Sequence, residues 1–525
     1  MSPPTFLDPS EKTDLPPVRF TGYVMLISFI SALASFLFGV DTANIAGAIL
    51  FIEAEFHLTQ VQIEFIVGAT TLGAIFGGFG AGYLSDRVGR KWVTLSSSVI
   101  FIAGALVIAL ANSYEVLLLG RLVVGIAVGL ASMIVPAYLA EISPKELRGQ
   151  LVTVNVLLIT GGQLAAYIVS VCLASVPNGW RIMMGLAAIP AAIQLIGMPL
   201  LPESPRYLFA KGDRDGARKI LQRIYGVRND PDGSRVEAEL DSIDCALKET
   251  QGASYRDLFK RENRIPLIIA CGLQALQQFT GFNTAMYYSA AILKMAGFKE
   301  AKDAVAFSLL VAATNFIVTI VALKIIDRVG RRKILLYTVA LMTCGLVLLG
   351  VAFALLSGLT SYQTDCSGYG SHCGACNSDD RCIFTSSATC VAKNAFPSVN
   401  LAAQVAVTCP GSKEYGWFAL ASLVFYVASY ALGLGNTPWL IQSEIFTAKL
   451  RGKAGGIATA TNWTSNLIVS ITFLSLTQAI SAAGTFWLYA GVGVLGWLFV
   501  WKLVPETKGK SLEEIRMLFV SKDEQ

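Results

Sequence analysis

The sequence predicts an all-α membrane protein of twelve transmembrane helices arranged as two six-helix halves, and three observations predict it. The 525 residues are 54% hydrophobic and only 15% charged, against roughly 25% charged in a soluble domain. The apolar residues gather in runs of the ~20 residues that a helix needs to cross a bilayer. Short charged motifs between those runs occur twice. DRVGRK at Asp86–Lys91 returns as DRVGRRK at Asp327–Lys333, and Glu141 ahead of Arg148-Gly149 returns as Glu444 ahead of Arg451-Gly452.

Residues 1–21 are proline-rich with mixed charge. They lack the basic start, short apolar core and small-residue cleavage site of a signal peptide, so they read as a cytoplasmic tail. The first half, 22–202, holds apolar runs at 22–50, 62–84, 93–112, 116–140, 150–174 and 180–200. The second half, 263–504, holds runs at 264–294, 303–326, 334–358, 414–443, 453–479 and 482–503, and 505–525 is a cytoplasmic C-terminal tail. Starting inside, the loops 85–92, 141–150, 203–262, 327–333 and 444–453 all fall on the cytoplasmic side. They carry most of the Lys and Arg, in agreement with the positive-inside rule. The net charge of +5 is thus orientation charge. No basic face interleaved with aromatics points to nucleic acid. The expected location is the plasma membrane, with both termini cytoplasmic.

The loop 203–262 is charged and helix-prone. It reads either as a solvated linker or as a small helical bundle that helps latch a closed state. A second insertion follows from the repeat spacing. Asp86 to Asp327 is 241 residues but Glu141 to Glu444 is 303, so the second half is 62 residues longer between its motifs. That interval contains the polar segment 359–413, extracellular by the topology above. Six of the ten cysteines lie there: Cys366, Cys373, Cys376, Cys382, Cys390 and Cys409. An even cluster on the oxidising side reads as disulfides, with the pairing open among fifteen possibilities. Zinc at Cys373-x2-Cys376 is the rival reading, and the extracellular side counts against it. No metal site is expected. Cys172, Cys245, Cys271 and Cys344 read as free thiols.

Asp41 sits inside the first span. A charge at a helix centre costs roughly 2.5–3.5 kcal/mol on insertion scales. Arg121 begins the fourth span, which runs the other way, so both fall in the outer half and can pair. The pair is either a fixed structural bridge or a proton-coupling site. Desolvation disfavours the ionised carboxylate and a nearby guanidinium favours it. Proton occupancy would therefore follow whether Arg121 is engaged. At the cytoplasmic ends, Asp86, Arg87, Arg90, Glu141 and Arg148 of one half face Asp327, Arg328, Arg331, Glu444 and Arg451 of the other. They read as a breakable ion-pair network across an inner gate, or as topology charge alone.

Several spans carry amides: Gln163, Gln277, Gln278, Asn283, Asn315 and Asn462. Amides combine donors and acceptors, which a neutral hydroxyl-rich ligand needs. Each taken alone is also ordinary interhelical hydrogen bonding. Trp439 adds an apolar face for a ring. Around it Gly433, Gly435 and Pro438 predict a bent or broken helix, and Gly281 does the same in span seven. Interrupted helices mark transporter sites and gates, which places Pro438 among the gating residues. Tyr287 and Tyr288 are candidates for an outer lid. No nucleotide loop or nucleophile–base constellation is present, so neither an enzyme nor a cofactor is expected.

The chain resembles the sugar porter family of the major facilitator superfamily over nearly its whole length. The matching stretches are the two DRVGR motifs, GRLVVGIAVG, PAYLAEISPKELRG, LPESPRYL at 201–208, QQFTGFN and PETKGKSLEEI at 505–515. Asp41, LLITGGQ, GWRIMMGLAAIPAAIQ and the Cys-rich loop make it most similar to the proton/myo-inositol cotransporters. The resemblance implies the major facilitator fold and alternating access. It implies Asp41 and Arg121 as a proton-coupling pair. It also implies Gln163, Gln277, Gln278, Asn283, Asn315, Trp439 and Asn462 as substrate contacts. The expected partners are a polyol, a proton and the lipid bilayer, with the monomer as the working unit. A hexose transporter is the nearest rival, and a sensor using the Cys-rich loop a more distant one.

Overall fold

The computed structural model describes residues 21–144, 147–250, 254–298, 300–356, 382–384, 390–392, 412–510, 514–515 and 518–519. The tail 1–20 and most of the Cys-rich segment lie outside the described residues, and the disulfide expectation for Cys366, Cys373, Cys376 and Cys409 falls there. Cys382 and Cys390 stand in a short antiparallel hairpin, β1 Cys382–Phe384 and β2 Cys390–Ala392, in which Phe384 pairs with Cys390. Cys172, Cys271 and Cys344 are free thiols.

The first half is built from α1 Gly22–Phe56, α2 Gln60–Val88, α3 Arg90–Ala109, α4 Tyr114–Ile142 and α5 Arg148–Leu173. Its sixth crossing is split into α6 Gly179–Leu186, α7 Ala188–Gly197 and a 3-10 turn at Met198–Leu200. Local chemistry sets the ends. The Thr21 hydroxyl accepts from the Val24 amide at 3.2 Å and starts α1. Left-handed His57, at φ 50°, stops it. Thr59 and Gln62 form a reciprocal capping box on α2.

Small residues let the helices touch. A Cβ on Gly73 or Gly77 of α2 would lie 2.3 or 2.2 Å from a carbonyl oxygen of α4. A Cβ on Gly125 or Gly129 of α4 would lie 2.2 Å from a carbonyl of α2. This reciprocal seam brings two backbones together where lipid supplies no hydrophobic drive between helices.

The linker folds into α8 Pro205–Ala210, α9 Arg214–Asn229 and α10 Ser234–Thr250, followed by a 3-10 turn at Tyr255–Phe259. Leu147, Ala217, Leu221, Tyr225, Val236, Leu240 and Ile243 form its own core. Arg218 pairs with Glu237 at 2.7 Å on its surface.

The second half is more interrupted. Its first crossing is divided into α11 Arg261–Phe279, α12 Phe282–Tyr287 and α13 Ser289–Met295. The divider is Gly281 at φ 82°, where a Cβ would meet the Tyr489 ring at 2.5 Å. α14 Ala301–Val329 and α15 Arg331–Leu356 are continuous. The crossing around Trp439 is α16 Ser412–Leu432, a turn through Gly433–Asn436, and α17 Thr437–Glu444. α18 Ala448–Ser470 and α19 Phe473–Leu503 complete the half, and α19 contains a non-helical Ser481 at φ 69°.

Among the described residues, eleven crossings are long and apolar enough to span a bilayer. The twelfth is α18, made more polar by its ATATNWTSN stretch. Its polar residues turn inward: Asn462, Ser465 and Asn466 are all buried. Phe473–Ile480 is a short helical stretch between α18 and the long final run, and the non-helical Ser481 falls in the gap that the apolar runs leave at 480–481.

The charged motifs define one face of the bundle. On the opposite face the halves are stitched together. The Tyr167 hydroxyl donates to the Met286 carbonyl at 2.7 Å and pairs with the Ser289 hydroxyl at 2.8 Å. Thr71 and Ser470 meet at 3.4 Å. On the motif face, no ion pair among the described residues joins one half to the other.

Candidate functional site

Two constellations occupy the buried centre. In the first half, Arg121 Nη1 donates to Asp41 Oδ1 at 2.5 Å. Both side chains are buried, Arg121 to 1% exposure. Arg121 Nε also reaches the Ile66 carbonyl at 3.4 Å. This is the pair the sequence suggested, brought together by the antiparallel run of α1 and α4. A buried carboxylate held by a single guanidinium keeps both charges stable only while the two remain together. Separation of the partners would favour protonation of the acid.

In the second half, amides bond amides. Asn462 on α18 donates to Gln274 at 2.7 Å and to Gln277 at 2.8 Å, and accepts from Gln278 at 3.1 Å. Asn283 donates to Gln278 at 2.8 Å. Gln277 donates to the Leu434 and Gly435 carbonyls, both at 2.9 Å, in the break between α16 and α17. The gap in span ten therefore frees backbone acceptors for a span-seven amide, which is how an interrupted helix is tolerated in the membrane. Asn315 on α14 donates to Gln163 on α5 at 2.9 Å and bridges the two halves. Such pairs can exchange with ligand hydroxyls at little cost in hydrogen-bond count.

Trp439 stands apart from these bonds, 42% exposed on α17, with Pro438 buried in the first turn of the same helix. Tyr287 and Tyr288 are buried. Tyr288 donates to the Ser470 carbonyl at 2.9 Å, and the Asn466 amide donates to the Tyr287 hydroxyl at 3.2 Å. Gln274, Gln442 and Asn466 belong to this cluster but were not singled out from sequence. Gln274 donates to Gln442 at 2.8 Å. The signal for Gln274 was available: it precedes Gln277 and Gln278 on the same helical face.

Among the described residues, the ion pairs of the motif face lie within each half. Arg90 pairs with Glu141 at 3.1 Å and Asp86 at 3.4 Å, all within the first half. Arg331 pairs with Glu444 at 3.1 Å, within the second. Arg87 lies over the Tyr83 ring, the Arg328 carbonyl accepts from Lys508, and Arg451 donates to the Phe446 carbonyl. The side chains of Arg148 and Asp327 lie outside the described residues.

A third duplicated motif was missed. Glu203 accepts from the Arg90 and Lys91 amides at 2.9 and 3.2 Å, and Glu506 from the Arg331 and Arg332 amides at the same distances. Ser204 donates to Glu141 as Thr507 donates to Glu444. The carboxylates sit where a Cβ on Gly89 or Gly330 would clash, at 2.2 and 2.7 Å. PES at 202–204 and PET at 505–507 are therefore counterparts, also 303 residues apart.

A two-half helical bundle with a buried acid–base pair in one half and an amide cluster in the other defines a membrane transporter. The comparisons specify which kind. The family model described as Sugar (and other) transporter matches residues 27–371 and 381–519. The chain belongs to that family, whose members are transporters and not enzymes. It is 38% identical to the human Proton myo-inositol cotransporter, over 95% of this chain and 82% of that protein. It is 38% identical to Myo-inositol transporter 1 of Cryptococcus neoformans, with the same coverage. It is 35% identical to Inositol transporter 4 of Arabidopsis thaliana, over 95% and 92%. Among solved structures it matches the partially occluded inward open conformation of the E. coli xylose transporter XylE. There the TM-score is 0.72 with 27% identity, covering 94% of this chain and all of that one. It also matches the proton:xylose symporter XylE bound to 6-bromo-6-deoxy-D-glucose, with TM-score 0.71 and 29% identity over 95% and 99%.

Proposed function

We propose that this protein is a proton-coupled symporter of a neutral polyol, myo-inositol before any hexose, working by alternating access as a monomer. The observation that carries it is the buried Asp41–Arg121 pair in one half beside the Gln277–Gln278–Asn462 cluster in the other. A carrier with no proton to move has no need of an acid there, since asparagine would hold the same shape. The amides supply neutral donors and acceptors suited to hydroxyls. Amides bind inositol or hexose alike, and the relatives named above favour inositol.

The motif face is cytoplasmic in this reading, with both termini inside and the protein in the plasma membrane. The halves 22–202 and 263–504 rock about the central site. The segment 359–413 is an extracellular insertion whose six cysteines pair as disulfides. The outer face, stitched by Tyr167 with Met286 and Ser289 and by Thr71 with Ser470, corresponds to an inward-facing state. In the cycle, Asp41 takes a proton from outside and leaves Arg121. The polyol binds between the Gln163–Asn315 bridge and the amide cluster, with Trp439 as an apolar wall. Tyr287 and Tyr288 close above it, the break at Pro438 opens the inner path, and cargo and proton leave inward. The caps around Arg90 and Arg331 keep each half rigid during the rocking.

The test is uptake of labelled myo-inositol and glucose into proteoliposomes, with and without an inward proton gradient. Wild type is expected to accumulate inositol under the gradient. Asp41→Asn is expected to lose accumulation by about tenfold or more while counterflow exchange persists. Equal wild-type uptake with no gradient effect overturns the coupling.

A further inference from the structure

The first span is not the only one with a buried acid. Glu64 lies on the second turn of α2, in the apolar stretch IEFIVGA, and is 2% exposed. Its carboxylate faces the other half of the molecule. Oε1 accepts from the Ser475 amide at 2.8 Å and Oε2 from the Ser475 hydroxyl at 2.5 Å.

Ser475 is the third residue of α19, whose N-cap Thr472 makes no side-chain capping bond. The first-turn amides of a helix have no partner within it. Glu64 thus caps a helix of the opposite half, where the helix dipole also favours a negative charge. The approach is built in. A Cβ on Gly68, one turn along α2, would lie 2.2 Å from Ile471 in the turn between α18 and α19. Thr71, a further turn along, meets Ser470 at 3.4 Å. The same helix also touches the charge pair: Arg121, which holds Asp41, reaches the carbonyl of Ile66, two residues from Glu64.

We propose that Glu64 is a positioning residue for transport, a carboxylate latch that holds the outer gate shut by capping α19 across the halves. The proposal rests on the alternating-access reading above. Separation of the outer ends must pull Glu64 from Ser475, so the latch exists only with the outside closed. It stabilises the inward-facing state relative to the outward-facing one. Because α2 also carries the carbonyl that Arg121 holds, outer opening and the release of Asp41 share one moving element.

Loss of the latch should move population between the two states, and such a shift is read at both ends of the molecule. Hydrogen–deuterium exchange of the full chain in nanodiscs is compared for wild type, Glu64→Ala and Ser475→Ala. Glu64→Ala is expected to raise exchange in the outer segments 60–66 and 473–480. It is also expected to lower it at the cytoplasmic segments 203–210 and 444–455, roughly fivefold in each direction. Ser475→Ala keeps the backbone bond and should shift both ends the same way by less. It carries the test if Glu64→Ala does not fold. Faster exchange on the outer side alone is local fraying and overturns the latch, as does no change. Wild-type uptake into proteoliposomes made from the same purified protein separates the two ideas. Uptake without reciprocal exchange rejects the latch, and absence of uptake rejects the transport reading.

Discussion

The two halves share a scaffold and differ in what they bury. The first keeps its crossings continuous except the sixth, and places one charged pair at its centre, Asp41 with Arg121. The second breaks its crossings at Gly281, at Gly433–Asn436 and at Ser481, and places amides there instead. The motif-face caps, by contrast, match to within a tenth of an ångström at four amide contacts. Duplication has preserved the outer frame and let the interiors diverge. A charge needs a rigid, dry setting to keep its partner, whereas a ligand of several hydroxyls needs backbone groups freed by helix breaks. The proposed division is therefore proton in the first half and cargo in the second.

The strongest way to break that division is to remove the hub of the second half. Asn462→Ala strands Gln274, Gln277 and Gln278, each of which bonds to Asn462. Leaving buried polar groups unpaired costs about 1–3 kcal/mol each. The expected outcome is a tenfold to hundredfold rise in KM for the polyol, roughly 1.4–2.8 kcal/mol, with the response to a proton gradient intact. Asp41→Asn should do the reverse: gradient response lost, exchange KM little changed. Uptake kinetics at fixed internal pH, with and without a gradient, measure both. If Asn462→Ala abolishes the gradient response as well, the halves do not divide the work.

Much of this architecture is legible in one sequence, because hydropathy and charge asymmetry act locally. The spans, the breaks at Gly281 and Gly433–Pro438, and the nearness of Asp41 to Arg121 all follow from composition, left-handed glycine and antiparallel order. What one sequence leaves open is non-local. Among the described residues the motif-face ion pairs lie within each half, and the pairs expected across the inner gate belong to a state with that gate shut, which motif spacing does not distinguish. The Glu203 and Glu506 caps were hidden because each lies far along the chain from the helix it caps. Asn466 and Gln442 went unnoted because one amide on a helix gives no hint of what it faces.

The within-half pairing makes a smaller prediction. Arg90 and Arg331 bury their side chains to 18% and 13% exposure beside Glu141 and Glu444. Between the limits for exposed and buried pairs, each Arg→Ala change should cost about 1–2 kcal/mol. Sites without shared partners add to within ~0.5 kcal/mol. The double variant Arg90→Ala with Arg331→Ala should thus lower the thermal midpoint by the sum of the single effects. A clear excess over additivity would mean that the caps couple across the inner gate, as the sequence alone suggested, and would end the picture of two independent frames.

The smallest effect concerns acid. Glu506 feels burial, which raises its pKa, but the amides of Lys508, Arg331, Lys333 and Arg332 outweigh it and hold the carboxyl below its ordinary 4.5. A group depressed on folding stabilises the folded protein fully above its unfolded value, and that contribution fades as pH falls through the folded value. The thermal midpoint of wild type should therefore lose part of its height below about pH 4.5, where the unfolded chain binds the extra proton. Glu506→Gln should start lower at neutral pH and fall less steeply over the same acid range. Parallel curves for the two proteins would show that the carboxylate does not cap α15 in its ionised form. Since the transition lies well below cytoplasmic pH, this cap is a fixed part of the frame in the working cycle. On the proposed cycle its proton does not exchange during transport.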